Sequence, residues 1–435
     1  MASGFSRKDA TGAELPPEGG SHEVVLISSR LRRGTSLWLD QYDGPRPAPP
    51  PLTARHEADV VIIGGGITGC VAAARLAARG LRVVVLEAKK IGSGSTAAST
   101  ALLMQEPDVD FGDLSERYGR VTATSVWKAS RRAVRSMIRT IARFRIPTAL
   151  HRLPSVYFTR NRNEARALER EVRARARAGL HCRWLDSDEL GDLTGIRGAG
   201  AILTRGNAQV NPYVACLGFA AAAGRRGARL YERSTVRRVN ARGSYVEVET
   251  ERGMVQARWA IVATGYATPE FKPLAGRFQM RHTYVIATPP LEAKQRRRIG
   301  LGDVMLWDTE RPYHYARWTA DHRLLLGGRD YPASRKTSAA SLRKRTDELT
   351  ADLIDLYPSA RDLVPEYAWE GLFATTPDGL PYIGKHARYP RHLFALGYGG
   401  NGMTLGFLAG EVLDRMIRGV AKPEDQLFGF NRVNR

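Results

Sequence analysis

ADVVIIGGGITGCVAAARLAARGLRVVVLEA, residues 58–88, decides how the rest of the chain is read. Val60, Val61, Ile62 and Ile63 are a β-branched run suited to a buried parallel strand. Gly64, Gly66 and Gly69 follow in G-x-G-x-x-G spacing, with Ile67 and Thr68 between the last two. Good helix formers fill Cys70 to Arg79, and Gly80 is placed to end that helix. Val83 to Leu86 form a second strand, closed by Glu87. This order predicts a βαβ unit for a dinucleotide. The first glycine permits the tight turn, the second admits a pyrophosphate, and the third lets helix pack on strand. The helix N-terminus offers free N–H groups to phosphate, and Glu87 sits where an acid accepts ribose hydroxyls.

Three other stretches carry the same chemistry. Ala88 and Lys89 lead into KKIGSGSTAASTALL, 89–103, where Gly94, Ser95, Thr96, Ala98 and Ser99 are small enough for backbone to lie against a flat ring. An apolar strand at 257–263 ends in Ala263-Thr264-Gly265, a second pass of the chain by the dinucleotide. Near the C-terminus a strand at 393–396 enters a glycine-rich turn. It contains Gly400, Asn401 and Gly402, and Met403 and Thr404 open the helix that follows. Bare backbone before a helix N-terminus suits the anionic edge of a ring.

Composition bounds the class. The 435 residues, 43% of them hydrophobic, suffice for two interlocked domains with real cores. Cys70, Cys182 and Cys216 form no C-x-x-C pair, which argues against a disulfide scaffold, a metal site or a dithiol centre. No apolar run approaches the ~18 residues of a membrane span, and a cytoplasmic protein is expected. The net charge of +22 is spread along most of the chain. Its strongest runs, 131–145 and 170–179, read as solvated helix faces, so nucleic acid is disfavoured as a partner. Residues 1 to 50, ending in PRPAPPP, read as a flexible tail that settles onto the body near Leu37, Trp38 and Leu39.

The remaining pattern alternates. Helices are expected at 111–145, 163–178, 213–226 and 337–356, with a turn at 206–212. Strands are expected at 149–158, 230–239, 244–249, 281–288, 304–307, 312–318 and 323–327.

GGGITG with Glu87, the small-residue stretch 92–101, Thr235-Val236 before A-T-G, and TPDGLPYIG followed by GYGGNGMT together carry a family resemblance. The chain resembles the D-amino-acid oxidase/glycine oxidase superfamily of FAD-dependent amine oxidoreductases over most of 58–417. The resemblance implies an α/β fold: a Rossmann-type FAD-binding domain interleaved with a mixed-sheet α+β substrate domain. The FAD-binding domain would comprise 51–147, 207–270 and 371–435, and the substrate domain 148–206 and 271–370. By the same resemblance Gly64, Gly66 and Gly69 would hold the pyrophosphate and Glu87 the adenosine ribose. Ser95, Thr96, Ala98 and Ser99 would run along the flavin pyrimidine, and Val236 would touch adenine through its backbone. Gly265 would pass the cofactor, and Gly400, Asn401, Gly402 and Met403 would offer N–H groups to the flavin carbonyl edge.

Two departures bear on substrate and cofactor. Amino-acid-using members carry a carboxylate-clamping arginine before T-x-D-G, where this chain has Gly371-Leu372-Phe373-Ala374. Arg281, Arg317 or Arg329 would have to substitute. Members with covalent flavin attach it through a cysteine in this segment, so non-covalent FAD is expected. Along PYHYARW, alternation puts Tyr313, Tyr315 and Arg317 on one face, and Tyr313 and Arg317 are the candidate catalytic residues. The expected activity is oxidation of a C–N bond in a small amine or amino acid by hydride transfer to flavin N5, giving an imine. Electrons would pass on to O2 or another acceptor. A flavoprotein subunit of a larger complex and an RNA-modifying flavoenzyme are the competing readings, and a homo-oligomer is left open.

Overall fold

The computed structural model describes residues 32–333 and 338–432. Its chain builds two mixed sheets. In the first, the order is Tyr382–Gly384, His392–Leu396, Met254–Gly265, Arg55–Ile63, Val83–Leu86 and Arg229–Tyr231. Strand Arg55–Ile63 is parallel to both neighbours, with Val60 to Ile63 opposite Val83 to Leu86. Alternate residues serve two cores. Val60, Ile62, Val83 and Val85 face the helices, while Val61, Ile63, Val84 and Leu86 face the hairpin Val236–Arg242/Tyr245–Thr250 and its neighbours. Burial on both faces is what the unbroken β-branched run requires.

Helices Ile67–Ala77, Pro212–Gly224 and Gly402–Ile417 cover the helical face. The first and last approach closely, because a Cβ at Gly410 would stand 2.6 Å from the Val71 side chain. That contact brings the start of Gly402–Ile417 beside the glycine loop at 64–69.

The second sheet has ten strands and runs from Arg32–Gly34 through Tyr367–Thr375, Gln279–Ala287, Leu324–Pro332, His314–Trp318, Met305–Asp308 and His151–Thr159 to Gly200–Gln209. One face packs on helix Ala339–Leu356 through Ala316, Leu324, Leu326, Leu349 and Leu353. The other turns Thr283, Trp307, Tyr313 and Tyr315 toward the nucleotide-binding half.

Several expectations change in detail. The tail does settle on the body at Leu37 and Trp38, which are buried, but Arg32–Gly34 is also a strand paired with Tyr367–Thr375, which the sequence does not predict. Residues 1–31 lie outside the described residues. Residues 206–209 continue a strand rather than turn, since Gly206 absorbs the bend at φ +97°. The helix at 111–145 is two helices, Phe111–Tyr118 and Arg120–Phe144, broken at Gly119. The strand expected at 230–239 is Arg229–Tyr231 in one sheet edge and Val236–Arg242 in the hairpin. Tyr367–Thr375 belongs wholly to the large sheet, so the chain leaves that sheet after 375 rather than at 371.

Candidate active site

A cavity of about 1210 Å³ lies between the two sheets. Each of the predicted cofactor-binding residues lines it except Gly69 and Thr404, which stand just behind its wall in their helices. Gly69 is needed for packing: a Cβ there would lie 1.9 Å from the Gly64 carbonyl oxygen. Gly64, at φ +110°, lets that loop press on the Ala263 carbonyl, which would meet its Cβ at 2.6 Å. This contact is what brings 263–265 to the same cavity. Gly66 differs, because a Cβ there would meet only the Thr96 hydroxyl, at 3.3 Å. The space over Gly66 is therefore cavity, as a pyrophosphate requires.

The Glu87 carboxylate accepts from the backbone N–H groups of Gly65 and Lys89, each at 2.8 Å. Enclosure by protein pushes its pKa up, against those two bonds. In Ile67–Ala77 and Gly402–Ile417 the first-turn N–H groups have no partner within the helix. Ile67 N–H donates to Thr96 Oγ1 at 3.0 Å, and the others remain for an anion. Two glycine-loop helix starts, a carboxylate at the end of the second strand and a cavity of this volume fit a dinucleotide with a flat ring.

The small-residue stretch that lines the cavity is held from outside, carbonyl by carbonyl. Ser36 Oγ donates to Ala97 O (2.5 Å), Trp369 Nε1 to Ala98 O (2.9 Å), Trp38 Nε1 to Ser99 O (2.8 Å) and Arg317 Nε to Thr100 O (2.6 Å). Four side chains from three distant segments thus fix this loop.

Arg317 is therefore corrected. It shares a strand face with Tyr313 and Tyr315 but does not line the cavity. Its guanidinium also donates to Val210 O at 2.9 Å and lies 5.1 Å from the Trp38 ring centroid. Burial lowers its pKa to about 9. Arg329 is unavailable to a substrate for a similar reason, being forked onto Asp352. Tyr313 lines the cavity as expected from the alternation, with Tyr315, whose hydroxyl shares a 2.8 Å hydrogen bond with Thr283.

Two of the N–H groups expected to meet the flavin edge are also corrected. Those of Gly400 and Asn401 donate to Asp108 Oδ2. Of the residues that follow, Gly402 and Met403 line the cavity. The sequence reading missed Asp108, Glu106 and Asp330, although Gln105-Glu106-Pro107-Asp108 places two acids around a rigid proline.

The family model described as "DAO: FAD dependent oxidoreductase" matches residues 59–416. Gamma-glutamylputrescine oxidoreductase of Escherichia coli (strain K12) is 28% identical over 372 residues, covering 84% of this chain and 85% of that protein. Glycine oxidase of Bacillus licheniformis is 26% identical over 381 residues, covering 84% and 94%. The crystal structure of glycine oxidase from Geobacillus kaustophilus superposes with a TM-score of 0.74 at 22% identity, over 87% of this chain and 99% of that one. The glycine loop, the acid that closes the second strand and the two helix starts are thus explained together: this chain belongs to the DAO family of FAD-dependent oxidoreductases.

Proposed function

We propose that the protein oxidises a C–N bond of an amine or amino acid by hydride transfer to N5 of non-covalently held FAD, giving an imine. The observation that carries this reading is the continuity of one cavity from the Gly64–Gly69 loop to the Tyr313/Tyr315 wall of the large sheet. A cofactor held by the first would extend toward the second within the same cavity. Relatives named for gamma-glutamylputrescine and for glycine support an amine or amino acid as the substrate class.

Bound FAD supplies the two-electron acceptor. The chain contributes orientation and exclusion of water, which hydride transfer from a neutral amine needs more than a strong base. Gly402 and Met403, which line the cavity at a helix start, would offer N–H groups to negative charge at the ring edge. Tyr313, Tyr315 and Trp307 wall the reacting side. Tyr313 offers a hydroxyl to the substrate nitrogen. Non-covalent attachment is supported at Gly371, which has no nucleophile and whose Cβ would collide with Ala98 at 2.8 Å.

Anaerobic mixing with a panel of amines and amino acids tests this. A substrate bleaches the flavin absorbance, and the rate of recolouring in air separates O2 from another acceptor. Acid precipitation should release free FAD to the supernatant. A flavin that no amine or amino acid bleaches would refute the reaction, and yellow colour retained in the pellet would refute non-covalent attachment.

A further inference from the structure

An anion already occupies the start of helix Gly402–Ile417. Asp108 Oδ2 accepts from the backbone N–H groups of Gly400 (2.5 Å) and Asn401 (3.3 Å). The bare backbone of this turn is shaped to that carboxylate. A Cβ at Gly399 would collide with Asp108 Oδ2, and one at Gly400 would stand 3.4 Å from it. The Asn401 side-chain nitrogen donates to Met104 O (3.0 Å) and Glu106 O (2.9 Å), which ties the 104–108 loop to the same helix start. Asp108 is exposed and lines the cavity, as do Gly402 and Met403.

Little offsets its charge. Among the described residues only those two N–H groups favour the ionised form, and the titratable groups that face it are acidic. Glu106 lines the cavity on the same loop and takes only neutral donors, Ser155 Oγ at 2.9 Å and Asn207 Nδ2 at 3.0 Å. Tyr313 faces Asp108 from the large sheet, and so does Asp330, which is hydrogen-bonded to Tyr313 and in turn feels Arg281 and His314. Enclosure by protein and the charge of Asp330 push the pKa of Asp108 up to about 6, against the two N–H bonds, so the carboxylate is ionised at neutral pH. The positive end of one helix thus serves two claimants: Asp108, and the electron-rich ring edge that Gly402 and Met403 would meet. Reduction adds negative charge to that ring, and like charges in a protein-walled cavity repel more strongly than in water.

We propose that ionised Asp108 lowers the reduction potential of the bound flavin, and that reduction draws a proton onto Asp108. Resting on the oxidoreductase reading above, this adds how the chain sets the flavin's readiness to pass electrons on. A hydride equivalent, two electrons and one proton, leaves the reduced ring with one negative charge. The Asp108 carboxylate then takes a second proton from solvent and returns it when the acceptor removes the electrons. The coupling is reciprocal: the reduced ring favours protonated Asp108 by as much as ionised Asp108 disfavours reduction. Below pH 6 the carboxylate is already protonated and exerts little effect, and as pH rises above 6 the ionised form holds the potential down.

The test uses the FAD-loaded full-length protein, reduced with dithionite against a reference dye, so no amine takes part. Asp108→Asn keeps an acceptor for Gly400 N–H and removes the charge. At pH 8 its equilibrium should favour reduced flavin at least roughly tenfold more than that of the wild type, about 30 mV for a two-electron couple. At pH 5 the two potentials should coincide. Asp330→Asn, which removes a charge bonded to Tyr313, should shift the potential less. Equal potentials at pH 8 would overturn the proposal, as would an offset of the same size at both pH values, which a merely structural change produces. A larger shift from Asp330→Asn than from Asp108→Asn would overturn it too. So would a wild-type potential that falls no more steeply than one proton per two electrons, about 30 mV per pH unit, between pH 6 and 7, a readout that needs no variant to fold. A flavin that no amine bleaches would refute the reaction and leave these potentials to decide the role of Asp108 separately.

Discussion

Arg317→Ala separates a scaffold from a substrate clamp. The guanidinium reaches three carbonyls, of Thr100, Val210 and Trp318. Trp318 O keeps a second donor, Gln209 Nε2 at 2.9 Å, so the substitution orphans two acceptors. Each buried acceptor left unpaired costs about 1–3 kcal/mol. Part of this is offset, because the native fold no longer holds a desolvated charge, the cause of the lowered Arg317 pKa. A net loss of about 2–4 kcal/mol follows. Over a chain this long, an unfolding entropy of ~2.1 cal/mol/K per residue converts that to a fall in Tm of roughly 2–4 °C. The freed Thr100 carbonyl also loosens the stretch beside the ring, so FAD should bind more weakly. Thermal unfolding with and without added FAD checks both effects, and Arg317→Lys should restore part of each. Flavin reduction, measured at saturating FAD, should fall by the same factor for substrates with and without a carboxylate. An unchanged Tm, with a loss confined to carboxylate-bearing substrates, would refute the scaffold assignment.

Gly66→Val should yield a folded protein without flavin, since its methyl groups enter cavity space, whereas Gly69→Ala should fail to fold because of the 1.9 Å approach to Gly64 O; circular dichroism and flavin absorbance of both variants decide this, and a yellow Gly66→Val protein would remove the pyrophosphate from that loop. His314 bridges Asp308 (2.8 Å) and Asp352 (3.1 Å); burial lowers its pKa, but these two bonds outweigh burial and raise it to about 9. Because the folded state holds that proton more tightly than the unfolded chain, the stabilisation is complete below pH 6.5 and is lost as pH rises through 9, on the order of 3 kcal/mol. Tm should therefore fall between pH 6.5 and 9 in the wild type and much less in His314→Gln, and equal slopes in the two would remove the ion pair from the account.

The nucleotide half was legible in the sequence because its determinants are local. Strand, turn, helix, strand and acid succeed one another within residues 58–88, and each glycine has a steric duty that no distant residue alters. The substrate half was legible only as a face. Alternation puts Tyr313, Tyr315 and Arg317 on one face, and the two tyrosines line the cavity, but side chains two apart on a strand are separated by about 6.8 Å. Arg317, two positions beyond Tyr315, falls under the 95–101 stretch rather than in the cavity. Nothing near Arg317 in sequence says where that stretch will cross the strand. Asp108 and Asp330 were illegible for the same reason: they approach only because the loop before helix Phe111–Tyr118 reaches the start of Gly402–Ile417, beside strand Leu324–Pro332. The residues at 32–38 show the limit most plainly. Their Pro- and Gly-rich setting reads as a tail that settles near Leu37, Trp38 and Leu39, with no sign that Ser36 and Trp38 hold the carbonyls of Ala97 and Ser99. Hydrogen bonds to backbone carbonyls leave no signature at the accepting end, since every residue has one. Ser95 and Thr96 anchor one end of the loop themselves, Ser95 Oγ donating to Leu372 O and Thr96 Oγ1 accepting from Ile67 N–H, but the loop cannot satisfy its own carbonyls at 97–100. Its donors must come from elsewhere, and here they come from three segments as far apart as 36, 317 and 369.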